Sequence, residues 1–209
     1  MNKAVIKPIR KLIQGTIAQA KILDAVDDLF YREGARMVGV DTVASHAGVN
    51  KMCLYRHFES KEKLVLRYLE RRAQRSWDNI EASLAKQPNE PRMQLLQFFK
   101  DATERTQQPS YRGCAFINIA TEFPDRNHPS RKLVADHKEK LLARLQELAT
   151  QAGATDPKAL AHALALMFEG ACAASQTYPL GHPILTTLQN VVETLVDSAC
   201  STNHKWNEQ

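Results

Sequence analysis

The sequence predicts an all-α protein in which a small N-terminal helix-turn-helix domain precedes a larger helical domain. Apolar residues recur at helical spacing along almost the whole chain of 209 residues, and the strict alternation typical of half-buried strands is missing. Proline-containing breaks separate the periodic segments, among them "KQPNEP" (86–91), "PDRNHP" (124–129) and "GATDP" (153–157). These two observations favour a succession of helices without a sheet.

The positive charge of the chain is concentrated near its beginning. Residues 1–76 hold 15 Lys/Arg and 8 Asp/Glu, a net charge of +7, whereas the whole chain carries only +5. This asymmetry indicates a polyanion-binding N-terminal part. The four cysteines are too scattered for a Cys-x-x-Cys metal site and too few for a disulfide-stabilised fold, so we expect reduced thiols.

Neither a membrane span nor a secretion signal is expected. No run of eighteen apolar residues occurs, and Lys3, Lys7 and Pro8 interrupt the apolar centre that a signal peptide needs. We therefore expect a cytoplasmic protein without membrane contact.

The N-terminal helices follow from apolar spacing and end signals. A first helix is predicted over about 16–33, and Gly34 is well placed to end it. Two short helices follow within 40–58, and a long helix begins after Ser60, a good N-cap residue. The preceding residues 1–15 carry four basic residues and no acidic residue; they form either an arm that follows DNA phosphates or a disordered solubilising tail.

The segment 40–58, "VDTVASHAGVNKMCLYRHF", has the spacing of a helix-turn-helix. Ala44 is small enough for two helices to approach closely, and Gly48 can adopt the positive φ of a tight turn. Asn50 can cap the next helix through its side-chain oxygen. Leu54 and Phe58, four residues apart, would face inward.

The outward side of the second short helix then carries the predicted DNA contacts. A recognition helix would present Lys51, Met52, Tyr55 and Arg56 to a major groove. Lys51 or Arg56 would donate to guanine and Met52 would touch a thymine methyl group, whereas Tyr55, His57 and Lys61 suit phosphates. Each residue alone is typical of a solvated helix surface, but the joint spacing inside a basic segment favours DNA binding.

Residues 22–64 resemble the N-terminal domain of the TetR/AcrR transcriptional regulators. The resemblance lies in the Ala-Gly-Val turn (47–49), in Leu-Tyr-x-His-Phe (54–58) and in Ser-Lys-Glu-x-Leu (60–64). It implies a homodimeric repressor that binds a palindromic operator and is released by a small inducer. It also implies that Tyr55, His57 and Lys61 hold phosphates.

Two departures from this family pattern bear on DNA recognition. Val38 and Gly39 stand where many members have Thr or Ser, so we predict that Asp41 caps the second helix instead. Met52 and Cys53 stand where Gly or Ala followed by Thr or Ser is common. This second change affects the operator sequence rather than the way the helix docks.

The larger domain is predicted to dimerise through its last two helices. With the domains set at 1–62 and 63–209, helices are expected near 91–107, 112–123, 130–152, 156–177 and 183–201. The last two carry apolar residues on two faces, one for the domain core and one for the same helices of a second chain. The alternative is burial on all sides within one subunit.

A ligand pocket is predicted around the helix that follows Arg112. Polar side chains recur every fourth residue on this otherwise apolar helix, and phenylalanines from two other helices would complete a cavity. The alternative is the solvent-facing side of an ordinary amphipathic helix. The predicted ligand-binding residues are Phe98, Phe99, Cys114, Asn118, Glu122 and Phe168.

Gly113-Cys114 at the head of this helix resembles TetR-like members that sense electrophiles or oxidants. Arg112 and the helix N-terminus would both favour a thiolate at Cys114. The alternative is that Cys114 is a small buried residue.

Catalysis, metal binding and a cofactor are not expected. The seven histidines show no metal-ligand spacing, and neither a nucleophile motif nor a phosphate-binding glycine loop occurs. The favoured function is a ligand-released homodimeric repressor. The alternative is a thiol-sensing or small-molecule-binding helical dimer with weak or non-specific DNA binding.

Overall fold

Helices account for the regular structure of the described chain, as the sequence predicts. The computed structural model describes the backbone of residues 6–200 and the side chains of residues 15–200. Within that range the helices are α1 (Ile6–Glu33), α2 (Val40–His46), α3 (Lys51–His57), α4 (Lys61–Leu84), α5 (Pro91–Thr106), α6 (Ala115–Glu122), α7 (Pro129–Gln151), α8 (Pro157–Thr177) and α9 (Pro183–Cys200).

The first helix begins about ten residues earlier than predicted. The backbone is already helical at Ile6, so most of the predicted arm of residues 1–15 belongs to α1. Of its basic residues, Lys3 lies outside the described part, and only the helical backbone is described for Lys7, Arg10 and Lys11. Apolar residues near the start of α1, such as Ile6 and Ile9, favour this continuation, whereas the prediction weighed only charge.

The described chain forms two compact units, and their residue ranges differ from the predicted domain boundary at residue 62. The first unit comprises Met1–Ala73 and Ala115–Val134, and the second comprises Gln74–Cys114 and Ala135–Gln209. The first unit extends beyond residue 62 because α4 contributes buried side chains to it. The ring of Tyr68 is 2% exposed and meets Phe30 of α1 edge to face, with the ring centroids 5.8 Å apart.

Polar contacts also join α1 to the first half of α4 in the first unit. Arg71 donates to Asp24 over 2.7 Å, and the Arg72 guanidinium lies 4.2 Å from the centroid of the Tyr31 ring. The carboxylate of Asp27, itself buried, lies 3.3 Å from the Arg71 side chain. A buried carboxylate is tolerated only beside such positive charge.

In the second unit, α5, α8 and α9 pack on one another around a continuous apolar core. Leu95 and Phe99 of α5, Leu164 of α8 and Val192 and Val196 of α9 are fully buried. Each such side chain contributes roughly 1.5–3 kcal/mol by leaving water. Helix α8 begins as its sequence suggests, with Asp156 accepting the Ala159 N–H over 2.9 Å.

No helix in the described part of the chain is both long enough and apolar enough to span a bilayer.

Candidate nucleic-acid interface

The turn between α2 and α3 has the predicted geometry. Gly48 has a φ of 65°, which is the left-handed conformation that glycine adopts without strain. Ala44 is 4% exposed, and its carbonyl accepts the Val49 N–H over 3.0 Å. The small side chain and the glycine therefore let the two short helices meet closely.

Asn50 caps α3, as the sequence predicts. Its Oδ1 accepts the backbone N–H of Cys53 over 2.8 Å, and its own backbone is extended. On the inner side of the helix Leu54 and Phe58 are buried, at 0% and 4% exposure. With the inner side held in this way, the opposite side of α3 faces outward.

The outer side of α3 presents the predicted base-reading residues to solvent. Met52 is 74% exposed and Tyr55 is 43% exposed, and Lys51 and Arg56 are also exposed. His57, predicted to contact phosphate, is half-buried at the end of the helix. The helix therefore offers an amide-capped start, two basic side chains and two large contact residues on one accessible face.

The prediction that Asp41 caps α2 is wrong. The N-cap residue is Gly39, which has no side chain to accept a hydrogen bond, and Asp41 lies inside the first turn. The Asp41 carboxylate instead lies 2.9 Å from the Lys51 ammonium of α3. The hydrogen bond and the charge of Asp41 together raise the pKa of Lys51.

Lys61 is less free for phosphate than the sequence suggests. Its side chain is half-buried, and its Nζ donates to the carbonyl oxygen of Arg36 over 2.8 Å. Burial lowers the pKa of Lys61, with the nearby Glu122 carboxylate acting in the opposite direction. The ammonium thus ties the start of α4 to the segment between α1 and α2, a role that no local pattern indicated.

Glu122 at the end of α6 is also engaged within the first unit. Its carboxylate accepts the backbone N–H of Arg36 over 2.7 Å, and its carbonyl accepts from the Arg36 guanidinium over 3.2 Å. The same carboxylate lies 3.3 Å from the position that a Cβ on Gly34 would occupy. Gly34 ends α1 with a φ of 93°, as predicted for a stop residue.

The six predicted ligand-binding residues are divided between the two units. Asn118 and Glu122 belong to α6 in the first unit, whereas Phe98, Phe99, Cys114 and Phe168 belong to the second. Two surface depressions, of about 410 and 260 Å³, are lined by other residues. Ligand binding at these six residues therefore stays a prediction.

Three of the four residues in the second unit form an aromatic cluster, and Lys138 connects the fourth, Cys114, to that cluster. The Phe168 ring centroid is 5.4 Å from that of Phe98 and 6.5 Å from that of Phe99. Lys138 of α7 connects this aromatic cluster to Cys114, because its Nζ lies 5.8 Å from the Phe168 centroid and 3.5 Å from the Cys114 Sγ. Sequence reasoning missed Lys138, since its distance along the chain from Cys114 follows no motif.

Among the described residues, no three His, Cys, Asp or Glu side chains are grouped so as to hold a metal ion. The four cysteines are free thiols, as expected from their scatter.

Two family models match the chain and together cover most of it. Residues 22–68 match the model described as bacterial regulatory proteins of the tetR family. Residues 91–191 match the model described as the tetracyclin repressor-like C-terminal domain.

Solved structures show the same relationship over almost the full chain. SCO4454, a TetR-family transcriptional regulator from Streptomyces coelicolor, is 29% identical, with a TM-score of 0.84 over 89% of this chain and 97% of that one. A candidate TetR transcriptional regulator from Streptomyces avermitilis is 30% identical, with a TM-score of 0.68 over 84% of this chain and 98% of that one.

Curated relatives match over a shorter stretch. The HTH-type transcriptional activator FasR of Mycolicibacterium smegmatis is 40% identical over 53 residues, which are 25% of this chain and 24% of FasR. The chain spans between about a quarter and a third of the length of the curated relatives that it matches. The capped recognition helix, the two matching domain models and the similarity to solved regulators show that the chain belongs to the TetR family of transcriptional regulators, with a helix-turn-helix DNA-binding domain.

Proposed function

We propose that the protein is a homodimeric repressor that binds a palindromic operator and releases it when a small ligand binds. The observation that carries this proposal is the outward face of α3, on which Lys51, Met52, Tyr55 and Arg56 are all exposed behind a capped helix start. We propose a binding role rather than a catalytic one for both units. The protein would act in the cytoplasm, where its DNA is found.

The proposed contacts divide into base reading and phosphate binding. Arg56 has the planar donor fork that matches guanine O6 and N7, and Met52 offers an apolar contact for a thymine methyl group. Tyr55 and His57 would donate to phosphates. Lys61 gives one of its three N–H groups to the Arg36 carbonyl, which leaves two for a phosphate oxygen.

A second copy of the chain would cover the outer faces of α8 and α9. Leu166 of α8 is 73% exposed, and Ile184 and Val191 of α9 are 42% and 45% exposed. The core-facing sides of the same helices are buried through Leu164 and Val192. Large apolar side chains on a second face favour a two-fold dimer, which would place two recognition helices about 34–36 Å apart along DNA.

Release of the operator by the ligand would depend on the difference in ligand affinity between two conformational states of the protein. A ligand that binds the second unit more tightly when the recognition helices are badly spaced lowers operator affinity by that difference. The aromatic cluster of Phe98, Phe99 and Phe168 offers an apolar wall for such a ligand. FasR is named an activator. Repression rather than activation is therefore part of the proposal, and a reporter gene tests it.

The experiment is to select bound sequences from random DNA, footprint the selected site, and compare two arginine variants on it. Arg56→Ala removes a base contact, so affinity should fall about 5- to 150-fold and sequence preference should broaden. Arg67→Ala is the matched control, because it removes the same charge from an exposed position on α4 that is paired with Glu70. If both variants lose affinity equally and keep the same preference, α3 does not read the bases. Uniform weak binding with no protected palindrome would refute the repressor.

The dimer is tested separately from DNA binding. Leu166→Glu places a charge on the exposed apolar face of α8, so sedimentation equilibrium should show a shift from dimer to monomer with the helical content retained. Glu193→Lys, a charge change at an exposed position on α9, is the control for general charge effects. A parent protein that sediments as a monomer at micromolar concentration would contradict the proposed dimer.

A further inference from the structure

Two cysteines that are far apart in the sequence meet in the second unit. Cys172 of α8 is 2% exposed, and its thiol is hydrogen-bonded to the thiol of Cys114. The Tyr111 hydroxyl donates to the Cys172 sulfur over 3.4 Å. Cys114 itself is half-buried, so it retains some access to solvent. The pair therefore consists of one half-buried and one buried cysteine.

A positive charge lies beside the sulfur of the half-buried Cys114. The Lys138 ammonium lies 3.5 Å from the Cys114 sulfur and is held by an ion pair with Glu169 of α8. Burial works against the charge of Lys138, but the Cys114 sulfur and the Glu169 carboxylate raise its pKa overall, so the amine stays protonated. An ammonium in this place stabilises a thiolate, which is the nucleophilic form of cysteine.

The two sulfurs differ in the form that their surroundings favour. The hydrogen bond to Cys114, and then burial, raise the pKa of Cys172 well above its ordinary value. Cys172 is therefore kept in its thiol form. This is the division of roles found where one cysteine attacks and a second resolves the product.

We propose that Cys114 and Cys172 form a reversible dithiol site that is oxidised to an intramolecular disulfide by hydroperoxides. In the first step the Cys114 thiolate attacks the outer peroxide oxygen; the S–O bond forms, the O–O bond breaks, and the departing alkoxide takes a proton from water to leave as an alcohol. In the second step the Cys172 sulfur attacks the resulting sulfenic acid. The S–S bond forms, the S–O bond breaks, and the Cys172 proton leaves with the hydroxide as water. Two thiols are oxidised and one hydroperoxide is reduced.

Oxidation would affect DNA binding through the helix that follows Cys114. A disulfide needs an S–S distance of about 2.05 Å, so the two sulfurs must move together from hydrogen-bonding contact. Cys172 lies inside α8, whereas Cys114 immediately precedes α6, and Glu122 at the end of α6 holds the Arg36 backbone. This regulatory part of the inference rests on the proposed function, whereas the thiol chemistry does not.

The chain supplies its own background for the chemical test. A variant with Cys53→Ser and Cys200→Ser keeps only the two proposed thiols, and neither replaced residue belongs to the site. Treated with a small excess of hydrogen peroxide, it should lose both titratable thiols and two hydrogens in mass. A single cross-linked peptide should join Cys114 to Cys172, and dithiothreitol should reverse the change. Thiols that survive, or a link only between chains, would overturn the proposal.

Substitutions within the site test the assigned roles. In the same background, Cys172→Ala should stop at a sulfenic acid on Cys114 that dimedone traps. Lys138→Met should slow oxidation about tenfold or more, and Lys138→Arg should restore most of the rate because it keeps the charge. Circular dichroism checks that each variant is folded. Equal rates for the Met and Arg variants would refute the role of the ammonium.

The regulatory part is read on an operator selected with the reduced two-thiol protein, because Cys53 lies on α3. The oxidised two-thiol protein should bind that DNA at least about tenfold more weakly than the reduced protein, and Cys172→Ala should lose this reversible effect. A disulfide that forms without changing DNA affinity refutes the coupling but leaves the chemistry intact. Failure to find any operator refutes the proposed function alone, because the mass and thiol measurements need no DNA.

Discussion

Removal of the Asn50 side chain should loosen the recognition helix by an amount that its geometry sets. Helix α3 has seven residues, and the Asn50 oxygen satisfies the Cys53 N–H over 2.8 Å at its first turn. Replacing a capping Asn by Ala costs about 1 kcal/mol, within a range of roughly 0.5–2 kcal/mol. Asn50→Ala should therefore raise the population in which α3 is open about fivefold.

Amide hydrogen exchange of the peptide that covers α3 is the appropriate measurement. A chain with two compact units need not unfold in one step, so a global unfolding curve would mix both units. The protection of the α3 amides should fall about fivefold in Asn50→Ala, while the amides of α9 stay unchanged. Asn50→Ser keeps a capping oxygen and is the matched control; it should stay within about twofold of the parent.

Two outcomes would refute this reasoning. If Asn50→Ala and Asn50→Ser lose protection equally, the loss does not come from the cap. If neither variant changes exchange in α3, the buried contacts of Leu54 and Phe58 alone hold the helix, and the hydrogen bond seen at its start contributes little.

Three further predictions concern charge and pH. Asp41→Asn frees the Lys51 ammonium and removes a negative charge near the proposed DNA face, so DNA affinity at low salt should rise about two- to fivefold and the salt slope should steepen by about one counterion. Glu122→Ala removes the acceptor of the Arg36 N–H, so exchange of that amide should rise about tenfold or more, which corresponds to the roughly 1.5–3 kcal/mol of a lost hydrogen bond to a charged group. Burial lowers the pKa of His137 to about 4, so below pH 6.5 the unfolded chain binds a proton that the folded chain takes up only near pH 4. This difference in pKa between the two states contributes about 3 kcal/mol to the free energy of unfolding above pH 6.5, and the contribution is lost as the pH falls to 4. His137→Gln should therefore flatten the curve of stability against pH between these values.

Each of these predictions has a control and a contradicting result. Glu139→Gln, an exposed change on α7, controls for general charge in the salt series, and Asp41→Asn with no effect on slope would show that the charge of Lys51 does not contribute to DNA binding. Glu122→Gln keeps an acceptor oxygen and should exchange nearly as the parent does. A His137→Gln variant that loses stability between pH 6.5 and 4 as steeply as the parent would exclude this histidine as the cause.

The features that the sequence predicted well are those decided by near neighbours. Gly34 and Gly48 adopt the predicted positive φ, and Asn50 and Ser60 accept the predicted capping hydrogen bonds, because each depends on residues within one turn. The period of the apolar residues likewise predicted α5 to α9 to within about three residues. The exposed face of α3 could be predicted because Leu54 and Phe58 identify the buried face.

The features that it missed depend on contacts between distant segments. Glu122 meets Arg36 across 86 residues, and Tyr111 meets Cys172 across 61. Helical spacing placed Glu122 on a polar line with Cys114, but spacing cannot tell which unit the end of a helix joins. Asp41 shows the same limit on a small scale, because a carboxylate in a first turn can pair with a lysine of the next helix instead of capping its own.

Gly34 and Gly48 look alike in the sequence, but they differ in the space that a side chain would find there. At Gly48 a Cβ would meet nothing within 4 Å, so asparagine, which tolerates a positive φ, is a permitted replacement there. At Gly34 the carboxylate lies 3.3 Å away, and asparagine would have to displace it as well as adopt the same backbone. Engineered sequences of this domain therefore have more freedom at the turn before the recognition helix than at the end of α1, where a new side chain presses on the Glu122 carboxylate that accepts the Arg36 N–H.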